Sequence, residues 1–190
     1  MIVLYYTNKD INDWDVIPNI LKNHGDTVIT RTDKFDLDFI INNNIDFIVS
    51  DRSRFLISAD VIEYLDRKII NFHPSFLPWN RGYHPNYWSI KENTPHGITI
   101  HFIDENIDSG DIIAQTRCYY SDEDTLRDTY DRLRKLAVNL FETCWIDIRS
   151  GKLKGFCQDS SKSTIHYKSD FIGHYDSLED GWDTKIKYVK

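Results

Sequence analysis

No stretch of 18 or more apolar residues occurs in the 190-residue sequence, so no transmembrane helix is expected. A signal peptide is not expected either. The opening MIVLYYTNKD carries too short an apolar stretch, with no basic region before it. Cysteine is scarce: Cys118, Cys144 and Cys157 show no CxxC spacing and cannot all pair. Free thiols in a reducing compartment, and hence a cytoplasmic location, are the simplest reading. A basic excess is also missing. The formal net charge of −7 argues against a general nucleic-acid binder, and neither nucleic acid nor membrane is expected as a partner. No Gly-x-Gly-x-x-Gly follows the first apolar run, which argues against a dinucleotide site. No tight His-x-x-x-His or paired-cysteine spacing supports a metal site, so none is expected. Internal repeats and low-complexity stretches are absent.

What is present reads as one globular domain with a tail. Hydrophobic residues make up 41% of the chain and charged residues 28%, too mixed for disorder. Strands are predicted at 2–6, 27–31, 46–50, 69–73, 97–103 and 111–120. Helices are predicted at 13–24, 35–44, 59–67, 85–92 and 122–149. Pro18 is tolerated best in a first turn, so regular helix is expected only from near Ile17. Ser58 can cap the third helix, with Asp60 favourable in its first turn. In the longest helix Leu126, Tyr130, Leu133, Ala137, Leu140, Cys144 and Ile148 recur at three- and four-residue steps. Ser121 with Asp124 can cap its start, and Gly151 can end it. Alternating strands and helices predict an α/β fold: a Rossmann-like, doubly wound, mostly parallel twisted sheet with helices on both faces.

Residues 151–190 differ. They carry no long periodic pattern and a net charge of +1, against −8 for residues 1–150. Six aromatics, Phe156, Tyr167, Phe171, Tyr175, Trp182 and Tyr188, are too many for a free linker. This tail is expected to pack on the 1–150 domain or on a partner subunit, and an exposed aromatic tail would suit a homodimer.

The block 71–111 carries the chemistry. Alternation along a strand puts Asn71 and His73 on one face and Phe72 on the other. Both polar residues sit where the strand ends, because Pro74 favours an exit. In open α/β sheets ligands bind beyond the C-terminal ends of strands. Asp108 follows the next strand in a short loop ending at Gly110 and completes a trio. Asn can donate to a developing oxyanion, His can move a proton near neutral pH, and Asp can set the His tautomer and accept a proton. No Ser or Cys stands out as a nucleophile, so direct acyl transfer from a donor to an amine fits better than a covalent acyl-enzyme.

The stretch Asn71-Phe72-His73-Pro74-Ser75-Phe76-Leu77-Pro78, then Gly97-Ile98-Thr99-Ile100-His101, then Ile107-Asp108-Ser109-Gly110, resembles the signature of the formyltransferases that use 10-formyltetrahydrofolate. The resemblance covers roughly 1–150 and implies the formyltransferase fold, with 1–150 as the catalytic domain. It implies that Asn71, His73 and Asp108 are catalytic. An amine attacks the formyl carbon, a tetrahedral intermediate forms, Asn71 and His73 stabilise its oxygen, and Asp108 assists proton transfer. It further implies 10-formyltetrahydrofolate as formyl donor, its pterin held mostly by backbone between Arg54, Leu56 and Ile57 on one side and Glu105, Asn106 and Ile107 on the other. His101 faces this region and is expected to contact the folate or orient Asp108.

Acceptors in this family differ by attachments. Forty tail residues look too short for the basic C-terminal barrel of methionyl-tRNA formyltransferases. Glycinamide ribonucleotide enzymes carry a glycine- and serine-rich phosphate loop after the first strand. Here that place reads Tyr5-Tyr6-Thr7-Asn8-Lys9-Asp10. The stretch 79–90 looks like the small sugar N-formyltransferases, which implies a nucleotide-linked amino sugar as acceptor. Trp79, Arg81, Tyr83 and Tyr87 are the acceptor-side candidates: aromatic faces suit a sugar or base and Arg81 a phosphate. The tail segment 158–171 is similar to one that follows the core in that class, with Lys162, His166, Tyr167 and Lys168 as candidates for a diphosphate and base. Another small amine, such as glycinamide ribonucleotide or a modified ornithine, a methionyl-tRNA formyltransferase-like activity, and a folate-binding protein without turnover stay open.

Overall fold

The computed structural model describes residues 1–8 and 16–189. Strands β1 (Ile2–Tyr6), β2 (Thr27–Arg31), β3 (Phe47–Ser50) and β4 (Ile69–His73) alternate with helices α1 (Ile17–Asn23), α2 (Leu37–Asn42) and α3 (Ala59–Leu65). Then come β5 (Arg81–Gly82), α4 (Pro85–Lys91), β6 (Gly97–Phe102), β7 (Ile112–Arg117), α5 (Leu126–Arg149), β8 (Ile165–His166) and α6 (Lys168–Tyr175). The main sheet runs β2-β1-β3-β4-β6-β7. The first four strands pair in parallel. β6 runs against both β4 and β7, so β7 points the same way as β4. The sheet is therefore mostly parallel, as predicted.

Strand alternation explains why helices cover both faces. Along β1, Val3 and Tyr5 join one core with α1 and α5, whereas Leu4 and Tyr6 join another with α2 and α3. In β4, Ile70 and Phe72 pack toward α5, while Ile69 packs toward α3. Asn71 and His73 therefore sit on the Ile69 face, at the strand's C-terminal end.

The regular part of α1 starts at Ile17 with Pro18 in its first turn, as the proline rule required; positions 13–15 lie outside the described residues. Ser58 occupies the N-cap position of α3, but its side chain makes no cap bond. Asp60 accepts from the Val61 amide at 2.9 Å instead. Helix α5 begins later than predicted. Thr125 caps it, accepting from the Asp128 amide at 3.0 Å, while Asp128 accepts from the Thr125 amide at 2.9 Å. Ser121 and Asp124 close a separate turn, the Ser121 amide donating to Asp124 at 2.8 Å. The buried stripe of α5 includes Phe141 and Trp145 rather than Leu140 and Cys144. Their rings meet Phe72 and Phe47 edge-on, at 5.3 and 5.1 Å. Tyr130 leaves the core stripe for the cleft described below.

Residues 151–190 lie against the domain. Phe156 forms an antiparallel bridge with Ile112 at the start of β7. β8 pairs in parallel with β5. Phe171, Leu178, Ile186 and Val189 bury themselves with Tyr87, Trp88, Ile90 and Leu126. Cys118, Cys144 and Cys157 are unpaired. Among the described residues no helix is long and apolar enough to cross a membrane.

Candidate active site

A cleft of about 1140 Å³ opens beyond the C-terminal ends of β1, β3 and β4. Asn71 and His73 enter it from the end of β4. Asp108 enters from the loop after β6, with φ at +48°. This loop is pinched: a Cβ on Gly110 would collide with the Phe102 carbonyl oxygen, so glycine is required there.

The three polar groups converge with His101. Asp108 Oδ2 lies 3.4 Å from His73 Nδ1, and Asp108 Oδ1 lies 3.5 Å from His101 Nε2. Asn71 Nδ2 lies 3.3 Å from His101 Nε2 and donates to Asp108 Oδ1 at 3.4 Å. These bonds are long, so the amide can turn an N–H elsewhere at little cost. The Gly82 amide donates to Asp108 Oδ2 at 2.9 Å.

Backbone carbonyls fix both imidazoles. His73 Nε2 sits 2.8 Å from the Asn80 carbonyl oxygen, and His101 Nδ1 sits 2.8 Å from the Phe102 carbonyl oxygen. A carbonyl only accepts, so those nitrogens carry the hydrogens. His73 Nδ1 and His101 Nε2 are left to face Asp108. Burial pushes the His73 imidazole below its ordinary pKa, against the pull of Asp108. Burial alone would raise the Asp108 carboxyl. The His73 charge, the His101 contact and the Gly82 amide outweigh it and hold the carboxyl well below the usual range. The cleft thus offers a neutral amide donor, an imidazole with one open nitrogen, and a carboxylate between them.

The other predicted residues divide clearly. Arg54, Leu56, Ile57, Glu105, Asn106 and Ile107 all line the cleft. Leu56 is 85% exposed and Ile107 38%, apolar groups left uncovered at the cleft. Uncovered apolar side chains lining a cleft of this size suit a flat heterocycle such as the pterin of a folate. Tyr83 and Tyr87 line the cleft, as do His166, Tyr167 and Lys168 from the tail. Trp79 and Arg81 do not line it. The Trp79 carbonyl accepts from Ser75 at 2.5 Å, and Arg81 lies in the β5–β8 pair. Lys162 is taken up by Asp159 at 2.8 Å. Lys9 and Asp10 lie outside the described residues.

Several residues were missed. Arg127, Tyr130, Asp131 and Arg134 also line the cleft, at helical spacing along α5. Arg134 is clamped by buried Asp51 through bonds of 2.6 and 2.8 Å, and Tyr5 donates to the same carboxylate at 2.9 Å. Both Asp51 oxygens are consumed, so this pair is a rigid wall rather than a second base. Polar residues at the spacing of Tyr130 and Arg134 were the available signal. The Gly82 amide and the Asn80 carbonyl act through backbone, which leaves no side-chain signal beyond the glycine itself.

The profile of the family described as Formyl transferase matches residues 23–144, more than half of the chain. A methionyl-tRNA formyltransferase of Fusobacterium nucleatum is 34% identical over 127 residues, covering 66% of this chain and 41% of that protein. A dTDP-4-amino-4,6-dideoxyglucose formyltransferase of Mycobacterium tuberculosis is 34% identical over 104 residues, covering 55% of this chain and 44% of that one. The chain spans less than half the length of these curated relatives. The crystal structure of the formyltransferase PseJ from Anoxybacillus kamchatkensis matches with a TM-score of 0.92 and 38% identity, covering 100% of this chain and 97% of that one. That structure is a complex with UDP-4,6-dideoxy-4-formamido-L-AltNAc and tetrahydrofolate.

Proposed function

The chain belongs to the formyl transferase family, and on that premise we propose that it moves a formyl group from 10-formyltetrahydrofolate to the amine of a nucleotide-linked amino sugar. One observation carries the reading. Asn71, His73 and Asp108 arrive from two separate segments at one end of a single cleft, with the histidine tautomer already set by the Asn80 carbonyl.

In this reading the donor supplies an activated one-carbon group beside residues 54–57 and 105–107. Asn71 turns an N–H toward the formyl oxygen as the acceptor amine adds and negative charge develops there. His73 can borrow the adding amine's surplus proton from Asp108 on Nδ1, the nitrogen its tautomer leaves open, and so provides a second donor at that moment. Asp108 stabilises the charged ring and carries the surplus amine proton toward the leaving nitrogen. The new carbon–nitrogen bond forms on the acceptor, the old one breaks, and the proton ends on the departing folate. The tightly held Asp51–Arg134 pair fixes the acceptor wall without competing for that proton.

The acceptor assignment leans on the likeness to PseJ across the whole chain. A UDP-linked 4-amino-4,6-dideoxy sugar related to AltNAc is the acceptor we infer. Tyr83, Tyr167 and Trp182 offer aromatic faces to the base and sugar, and Lys168 offers charge to the diphosphate. Residues 1–150 are then the catalytic unit, and residues 151–190 complete its acceptor side. The test follows tetrahydrofolate release by absorbance, with UDP- and dTDP-linked amino sugars beside glycinamide ribonucleotide and charged initiator tRNA. Turnover with a UDP 4-amino sugar supports the reading. Turnover only with another acceptor class overturns the substrate assignment. Tight folate binding without any turnover indicates a binding protein.

A further inference from the structure

The tail reaches the catalytic loop as well as the acceptor side. Gln158 Nε2 donates to the carbonyl of Asp108 at 2.9 Å and to the carbonyl of Gly110 at 2.8 Å. Both hydrogens of one side-chain amide are spent on the two carbonyls that bracket the turn. That turn holds Asp108 at φ +48°, a conformation costly for a residue other than glycine. Gln158 is placed there by the Phe156–Ile112 bridge, whose two bonds are each 2.9 Å. Seven residues further on, β8 begins and lies against β5 so closely that a Cβ on Gly82 would collide with the His166 carbonyl oxygen. The Gly82 amide, left outside the β5–β8 ladder, donates to Asp108 Oδ2. One tail segment thus holds the Asp108 main chain directly and the donor to its carboxylate through β5.

We propose that Gln158 is a positioning residue for Asp108, and that the tail is thereby part of the catalytic machinery. The activity side of this inference rests on the formyl-transfer reading. Its geometric side does not, because the Gly82 amide reports whether the Asp108 carboxylate is in place.

The experiment compares the full chain with Gln158→Leu, Gln158→Glu and Asp108→Ala. Gln158→Leu removes both donors, and Gln158→Glu keeps the shape while setting a carboxylate against two carbonyls. Two quantities are read: steady-state kinetics with 10-formyltetrahydrofolate and the active acceptor, and the Gly82 amide proton shift in 1H–15N spectra. Displacing a catalytic group by about 1 Å costs roughly a hundredfold. In whichever Gln158 variant melts near the wild type, kcat is expected to fall tenfold to a hundredfold. KM for both substrates should stay within about twofold, and the Gly82 shift should move toward its Asp108→Ala position. An unmoved Gly82 shift overturns the proposal, and so does a moved shift with unchanged kcat. If the wild type turns over none of the acceptors, the formyl-transfer reading has failed, and the Gly82 shift alone decides whether Gln158 positions Asp108.

Discussion

Replacing Asp108 by Asn tests the proton-handling role with little change of shape. The Asn side chain keeps an oxygen for the Gly82 amide, which now donates at 2.9 Å. What is lost is the negative charge 3.4 Å from His73 Nδ1. At an effective dielectric of about 20, unit charges at that separation attract by about 5 kcal/mol. Asp108 retains 17% side-chain exposure, and solvent screening trims the figure to roughly 3–4 kcal/mol. In the proposed reaction the ring gains its charge while the formyl group is in transit, so the loss falls on the barrier. It corresponds to roughly a hundredfold to a thousandfold in kcat, within the range of general acid–base contributions. The assay follows tetrahydrofolate release at saturating acceptor and donor from pH 5.5 to 9. Because the Asp108 carboxyl is held below the usual range, it stays ionised across this window, and no acid limb arising from it is expected in the wild type. A variant within tenfold of wild type at every pH, or one impaired only in KM for the folate, would refute the assignment of Asp108 to proton transfer.

Other consequences follow from the same geometry. Asn71→Ala removes the neutral N–H donor and should lower kcat by about two to three orders of magnitude, roughly 3 kcal/mol, with folate binding by titration calorimetry nearly unchanged. Asp51→Ala strands the Arg134 guanidinium, which two bonds of 2.6 and 2.8 Å now neutralise; a loss of about 3–5 kcal/mol in urea unfolding is expected, and a loss under about 1 kcal/mol would mean the pair is solvated. Burial pushes buried His96 down to about 4, so between the unfolded value near 6.5 and about 4 the unfolded chain binds the extra proton. Stability should therefore be full above pH 6.5 and fall by up to roughly 3 kcal/mol as pH drops through that window, and His96→Gln should flatten the slope in urea midpoints measured at pH 7 and pH 5.

Legibility in the sequence followed the type of signal. The strands and the two-faced core rest on alternation of apolar residues, which is written in side chains, and the sheet order adds only the reversal of β6. The start of α5 was misplaced because two Ser/Thr–Asp pairs, Ser121 with Asp124 and Thr125 with Asp128, offer the same capping chemistry four residues apart. Only the second is followed at once by the buried Leu126 that anchors the helix to α4. Phe141 and Trp145 displaced Leu140 and Cys144 because the buried residues from Thr129 to Trp145 step by four, and each such step leads the 3.6-residue turn by about 40°.

The site divides along the same line. Asn71, His73, His101 and Asp108 are side-chain chemistry at strand ends and were nameable. The groups that tune them are the Asn80 and Phe102 carbonyls and the Gly82 amide, which any residue type presents. Trp79 and Arg81 drew attention because their side chains look functional, yet the cleft uses the backbone beside them. The same reason hid the tail. Its working parts are a bridge at Phe156, a two-residue strand and one glutamine amide facing two carbonyls, none of which has a period or a charge pattern. A segment of this kind contributes through where it lays its backbone, so its role becomes visible only when the distances around Asp108 are known. It also follows that transplanting residues 1–150 alone would carry over the trio and leave Asp108 without its two restraints. A truncation ending at 150 should then keep a folate-binding cleft only if the domain survives the loss of the Phe171, Leu178, Ile186 and Val189 packing. Even where it does, formyl transfer should fall at least as far as in Gln158→Leu.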